Sequence, residues 1–177
     1  MGRVLSHLEA LDREVQSRRP HPVLGTGSLH ASLISGGREL STYPDHCTLQ
    51  LERRTIVGES GETALNEVEQ ILAALRREDP EFEASATLMF GRPPYEISAQ
   101  HELPCALEAT VAGAGHATKL TGMTFWTDAA ILAGAGIPSV VFGPGGAGLH
   151  GIEEYVLVDE VLACRDALAE LARTFCV

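Results

Sequence analysis

No run of apolar residues in this chain is long enough to cross a bilayer. The run Gly136 to Gly143, for example, is well under half the roughly 20 residues a membrane helix needs. The first residues, "MGRVLSHLEALDREVQSRR", have no apolar stretch behind their charges, so they do not read as a secretory signal. Basic residues are scarce. Lys and Arg together number 13 against 24 acidic residues, a formal charge of −11, which argues against a nucleic-acid partner because phosphate binding needs a basic face. The four cysteines, Cys47, Cys105, Cys164 and Cys176, show no C-x-x-C spacing. Zinc-finger and thioredoxin readings fail on that ground, and a reduced, cytoplasmic setting is the expectation. There is no H-E-x-x-H, no G-x-S-x-G and no G-x-G-x-x-G after a first strand. "GPGGAG" lacks the G-K-[ST] ending of a phosphate loop.

What is present describes a globular chain of 177 residues, 45% apolar, enough for one ordinary domain or two small ones. Val4, Leu5, Leu8, Leu11 and Val15 recur at helical spacing and predict a helix from about Arg3 to Arg18. "GSLHASLISGG" reads as a strand and "STYPD" as a turn. "HCTLQLERRTI" reads as a second strand, antiparallel to the first. Leu65, Val68, Ile71, Leu72 and Leu75 make the stripe of a helix from about Glu62 to Glu78, with arginines in its last turn. "FEASATLMF" reads as a further strand. The order α-β-β-α-β is that of a ferredoxin-like layer without its first strand.

Beyond the exit "GRPPYEI", helices are expected at about Leu103 to Ala112, over "TDAAILAGAG", and over "LVDEVLACRDALAELARTF" with Asp159 as N-cap. "IPSVVFG" has the composition of a buried parallel strand. The fold class is therefore α/β, with domains at 1–91 and 92–177.

Candidate chemistry gathers on a few residues. His150 follows the "GPGGAG" loop, beyond the carboxyl end of "IPSVVF", where open α/β sheets place their sites. On residues alone it is either a solvated loop histidine or a ligand, and Glu154, four residues on, is placed to orient it. Asp128 in "FWTDAA" is an N-cap or a site residue. Arg54 and Arg92 are surface arginines or clamps for a carboxylate. Cys47 and His46 are adjacent on a strand and point to opposite faces, which opposes a thiol–imidazole pair.

The chain resembles the zinc-dependent family that includes aminoacylase, acetylornithine deacetylase, succinyl-diaminopimelate desuccinylase and glutamate carboxypeptidase. "ISGGRELSTYPDHCTLQLERRTIVGE" looks like that family's lid signature. "FWTDAAILAGAGIPSVVFGPGGAGLHGIEEYV" looks like its C-terminal signature. The resemblance implies that His150 is a zinc ligand position and Glu154 the acidic residue that follows it. It also implies that Asp128, Gly143 and Gly145 line the site and that Arg54, with Arg92, lies near the substrate's carboxylate. Ser41 stands where the family usually has Asn, and Phe125 and Trp126 stand where some members have Gly-Gly.

The family's other metal ligands and its Glu base belong to an N-terminal half that cannot be placed in this sequence. The expectation is therefore a lid (1–91) lacking its first strand, followed by the C-terminal half of a catalytic domain (92–177). In the complete enzyme two zinc ions and a water would hydrolyse an N-acyl amino acid or peptide next to a free carboxylate. This chain alone is expected to be inactive, and the lid is expected to form a homodimer. The alternative is a non-catalytic, dimerising interaction protein derived from the family, and a third possibility is a split reading frame.

Overall fold

A computed structural model describes residues 1–176. It divides into two compact units, Met1–Pro94 and a second from Tyr95 onward. No helix among the described residues is long and apolar enough to cross a membrane.

The first unit holds helix α1 (Gly2–Ser17), strands β1 (Ser28–Gly36) and β2 (Cys47–Arg54), and helix α2 (Gly61–Glu78). β1 and β2 are antiparallel, running from Ser28 opposite Arg54 to Gly36 opposite Cys47, with a bulge between Ala31 and Leu33. The helical spacing of the sequence is realised as burial. Val4, Leu8, Leu11 and Val15 of α1 meet Leu72 and Leu75 of α2 and Leu29 of β1 in one core. Their burial is what holds two amphipathic helices on a two-stranded sheet, because an isolated hairpin is marginal in water. α2 starts with reciprocal bonds between Ser60 and Thr63. The Thr63 N–H donates to Ser60 Oγ (3.3 Å) and the Ser60 N–H to Thr63 Oγ1 (3.2 Å). Such bonds satisfy donors that the first helical turn leaves open.

Residues 82–90, expected as a strand, form no ladder among the described residues. Their first half nevertheless alternates as a strand does, with Phe82, Ala84 and Ala86 half-buried against the core and Glu83, Ser85 and Thr87 exposed. The side-chain pattern of a strand is thus present while its hydrogen-bond partner is not, and period-2 burial alone does not create a ladder.

The second unit holds α3 (Glu102–Gly113), the short α4 (Ala129–Gly134), a two-residue pair β3 (Gly146–Ala147) with β4 (Tyr155–Val156), and α5 (Val158–Phe175). α3 packs on α5 through Leu107, Val111, Ala167 and Leu171, with Val140 and Phe142 against the same cluster. "IPSVVFG" also differs from expectation. It makes no ladder, and the Tyr95 hydroxyl serves Ser139 instead, donating to its carbonyl (2.9 Å) and accepting from its N–H (3.1 Å). α5 begins one residue after Leu157, so Asp159 lies in its first turn rather than at the N-cap. Asp159 and Glu160 still meet the positive end of the helix dipole there. α3 is capped by His101, whose Nδ1 accepts from the Leu103 N–H (3.1 Å).

Candidate functional site

His150 sits at the tip of a hairpin. β3 and β4 pair Gly146 with Val156 and Ala147 with Tyr155, and the intervening residues fold back in a tight loop closed by the Gly151 N–H to the Gly148 carbonyl (2.6 Å). Two glycines make this possible. A Cβ on Gly146 would strike the Tyr155 carbonyl, and Gly148 adopts φ +76° with the Glu153 carbonyl where its Cβ would stand. The loop also forces His150 itself to φ 61°, a left-handed conformation uncommon for a residue with a side chain. A non-glycine residue held there is a strained position of the kind found at functional sites.

The link between His150 and Glu154 runs through the backbone, the His150 N–H donating to Glu154 Oε2 (3.3 Å). The exposed imidazole has no hydrogen-bond partner among the described residues. Glu154 therefore braces the loop conformation rather than the ring. The glycine-rich approach is tied in the same way. The Gly145 N–H donates to Glu160 Oε2 (2.5 Å) and its carbonyl accepts from the Leu157 N–H (3.2 Å), while Gly143 has open space around its Cα. Asp128 precedes α4 and is exposed. Its carbonyl accepts from Ile131 and Leu132, and its carboxylate makes no capping bond, so the helix start does not use the side chain.

The remaining candidates belong to the first unit. Arg54 ends β2, opposite Ser28, and is bonded only loosely to Glu52 (3.2 Å), leaving its guanidinium 44% exposed. Arg92 stacks over Phe90, 5.9 Å from the ring centre. Ser41 is exposed on the loop joining β1 and β2, where Arg38 pairs with Asp45 (2.6 Å) and Leu40 and Tyr43 are fully exposed.

The charged cluster that the sequence reading missed is next to Arg54. Arg53 points inward with Leu49 and Leu51, and its side chain is 3% exposed. It donates to Glu67 (2.9 Å), to Glu59 (2.8 Å) and to the Arg54 carbonyl (2.5 Å). Arg18 adds a second cation on Glu67 (2.6 Å) and is held by Glu14 (3.0 Å). Burial by itself pushes the Glu67 carboxyl upward, but the hydrogen bonds from Arg53 and Arg18 outweigh it and hold the group below its ordinary value. Desolvation likewise opposes the charge on Arg53, and the two glutamates overcome it. The signal for this cluster was the period of β2, since residues 49, 51 and 53 share one face.

Among the described residues no three His, Cys, Asp or Glu side chains converge as a metal site. A catalytic zinc normally takes three protein ligands, so His150 alone does not fit a complete one.

Residues 6–174 match the model of the peptidase family M20/M25/M40. The chain belongs to that family. It is 29% identical over 180 residues to an acetylornithine deacetylase of Myxococcus xanthus, a match covering 99% of this chain and 46% of the relative. It also superposes with a TM-score of 0.71 on the crystal structure of aminopeptidase PepT from Bacillus cereus ATCC 10987. That match is 16% identical and covers 95% of this chain and 43% of the neighbour, so it bears on the fold. The chain thus spans less than half the length of either protein.

Proposed function

We propose that this chain supplies the lid and the C-terminal part of the catalytic domain of a zinc-dependent hydrolase that cleaves an amide bond next to a free carboxylate. N-acyl amino acids of the acetylornithine kind are the favoured substrates, and peptides come next. Membership of a peptidase family and similarity to an acetylornithine deacetylase support the reaction class. The observation that carries the site is His150, an exposed imidazole on a hairpin tip held at φ 61° and braced by Glu154. In this reading His150 gives zinc one nitrogen ligand, and the other ligands and the base come from sequence outside this chain. Arg54, with Arg92 and Ser41, receives the substrate's carboxylate through charge-assisted bonds. Asp128, Gly143 and Gly145 line the cleft.

The test is an assay of N-acetylornithine hydrolysis with zinc present. This chain alone is expected to release no acetate. Mixing it with the uncovered portion of the Myxococcus xanthus relative is expected to restore turnover, and His150→Ala to abolish the restored activity. Chelator-sensitive turnover by the chain alone would overturn the reading, as would full restored activity in H150A.

A non-catalytic, dimer-forming role is the second reading. The exposed apolar side chains of Leu33 and Ile34, at the bulge of β1, favour it. In either reading the lid is proposed to form a homodimer in the cytoplasm, and a strict monomer by light scattering at high concentration would sink that proposal.

A further inference from the structure

Arg53 is a buried charge that the proposed chemistry does not use. Its side chain is 3% exposed, on the face of β2 that carries Leu49 and Leu51 to the core. Its partners are nearly as enclosed, Glu59 at 15% and Glu67 at 11%. Taking such groups out of water carries a desolvation cost that ion pairing often only balances. An apolar side chain packed at the same place would avoid that cost.

What the guanidinium does, and an apolar side chain could not, is bind three acceptors at once. Nε donates to Glu67 of α2 (2.9 Å), Nη2 to Glu59 (2.8 Å) and Nη1 to the Arg54 carbonyl (2.5 Å). The planar fork sends these donors in fixed directions, which a lysine cannot reproduce. Glu59 is tied in turn to the loop after β2. Its other carboxylate oxygen accepts from the Ile56 N–H (3.0 Å), and its own N–H donates to the Ile56 carbonyl (3.0 Å). Gly27 closes the far side. It is buried, and a Cβ there would strike both Arg53 Nη1 and the Arg54 carbonyl.

Arg54 is the last residue of β2, opposite Ser28. Ladder pairing fixes the strand up to that residue, and Arg53 holds the peptide plane that follows it. Adjacent strand residues face opposite ways, so a group anchored inside the core sets the backbone from which an outward side chain departs. The Arg54 guanidinium is 44% exposed and rests on Glu52 through one long bond (3.2 Å), which makes the backbone the firmer of its two supports.

We propose, on the reading of Arg54 as the receiver of the substrate's carboxylate, that Arg53 is its positioning residue. Through the Arg54 carbonyl it holds Arg54 in the orientation that meets the carboxylate. Misplacing such a support by about 1 Å can cost on the order of a hundredfold in rate. A clamp on a group remote from the bond that breaks acts on substrate binding, so its loss falls on KM.

The test uses the full chain mixed with the uncovered portion of the Myxococcus xanthus relative. Acetate release is followed from N-acetylornithine and from its α-carboxamide, which share the bond to be cleaved and differ in the carboxylate. Arg53→Lys keeps the charge and loses the fork, while Gly27→Ala keeps every charge and displaces Arg53. Each is expected to raise KM for the acid about tenfold and to leave kcat, and the carboxamide's KM, within about twofold. Arg54→Ala tests the reading beneath, and should erase the preference for the acid. A restored enzyme without that preference, or no restored turnover, would refute the role of Arg54 and this inference with it. If R54A behaves as expected while R53K and G27A leave KM for the acid unchanged, or weaken both substrates alike, the positioning role alone falls. Should R53K fail to fold, G27A decides. Unfolding of both would make the cluster purely structural and overturn the proposal.

Discussion

The hairpins β1–β2 and β3–β4 are both antiparallel, yet different forces hold them. The first carries its own core and ends on a buried ion cluster, with Arg53 between Glu59 and Glu67. The second consists of two exposed residue pairs, closed by glycines and backbone bonds, with Ile152 fully exposed at the turn and Tyr155 and Val156 more than half exposed. A hairpin with buried side chains on one face sets its own register. One without them is fixed by local conformation and by whatever it eventually packs on. The first hairpin is therefore a scaffold, and the second presents a residue.

The sharpest way to break this contrast is Arg53→Met. It removes the buried cation and leaves two largely buried carboxylates with only the more exposed Arg18 to pair with. Loss of one partner from a buried pair costs about 3–5 kcal/mol, and denaturant unfolding of the first unit measures it. The double change of Arg53 and Glu67 to apolar residues is expected to recover part of that loss, because the uncompensated charge disappears with it. An unchanged midpoint in R53M would mean that the cluster is solvated in solution.

Acid does reversibly and more weakly what that substitution does permanently. Glu67 is held below its ordinary value of 4.5 by Arg53 and Arg18 after burial has pushed the other way. A folded-state value below the unfolded one gives stability that is present above pH 4.5 and lost as pH falls through the folded value. Asp79, lowered by its bond from Arg3, acts in the same direction. The first unit is expected to unfold more readily below pH 4.5, with R53M losing much of that dependence. A flat profile from pH 6 to 3, followed by circular dichroism, would count against the cluster. pH 6 lies about one and a half to two units above the ordinary carboxylate values and pH 3 about one unit below them.

The second hairpin is expected to respond to a smaller, local change. Gly148→Ala places a Cβ on the Glu153 carbonyl at φ +76°, a conformation costing about 1–3 kcal/mol for a non-glycine residue. Exchange over residues 146–156 should speed up markedly while the α3–α5 core keeps its protection. Global unfolding in place of a local effect would show that this hairpin is also part of the scaffold.

These contrasts follow how legible each part was. The helices of the first unit could be read from apolar spacing, because an amphipathic stripe is local information. β1 and β2 could be read from alternation and from the turn between them. Family motifs pointed to His150 and Glu154, but not to the contact between them, which is a backbone bond. Arg53 was passed over for Arg54, since adjacent strand residues differ by which face they present, and only packing against α2 distinguishes them. Residues 82–90 and "IPSVVFG" have strand sequences without ladders. Ladder formation depends on a neighbour rather than on the segment's own residues.

The smallest expected effect concerns His150 itself and separates its conformation from its chemistry. Left-handed backbone costs an ordinary residue about 1–2 kcal/mol, and Asn tolerates it better than most. Because the imidazole is exposed and bonded to nothing among the described residues, His150→Asn keeps the loop's backbone and gives up only the ring. Hairpin exchange in H150N should match the unaltered chain to within about twofold. His150→Val, whose branched Cβ resists φ 61°, should exchange faster. Both variants lack the imidazole, so the restored hydrolysis proposed above should vanish in both while hairpin order differs between them. Activity that followed hairpin order instead, surviving in H150N and falling in H150V, would show that the loop's shape rather than its nitrogen is what the site requires.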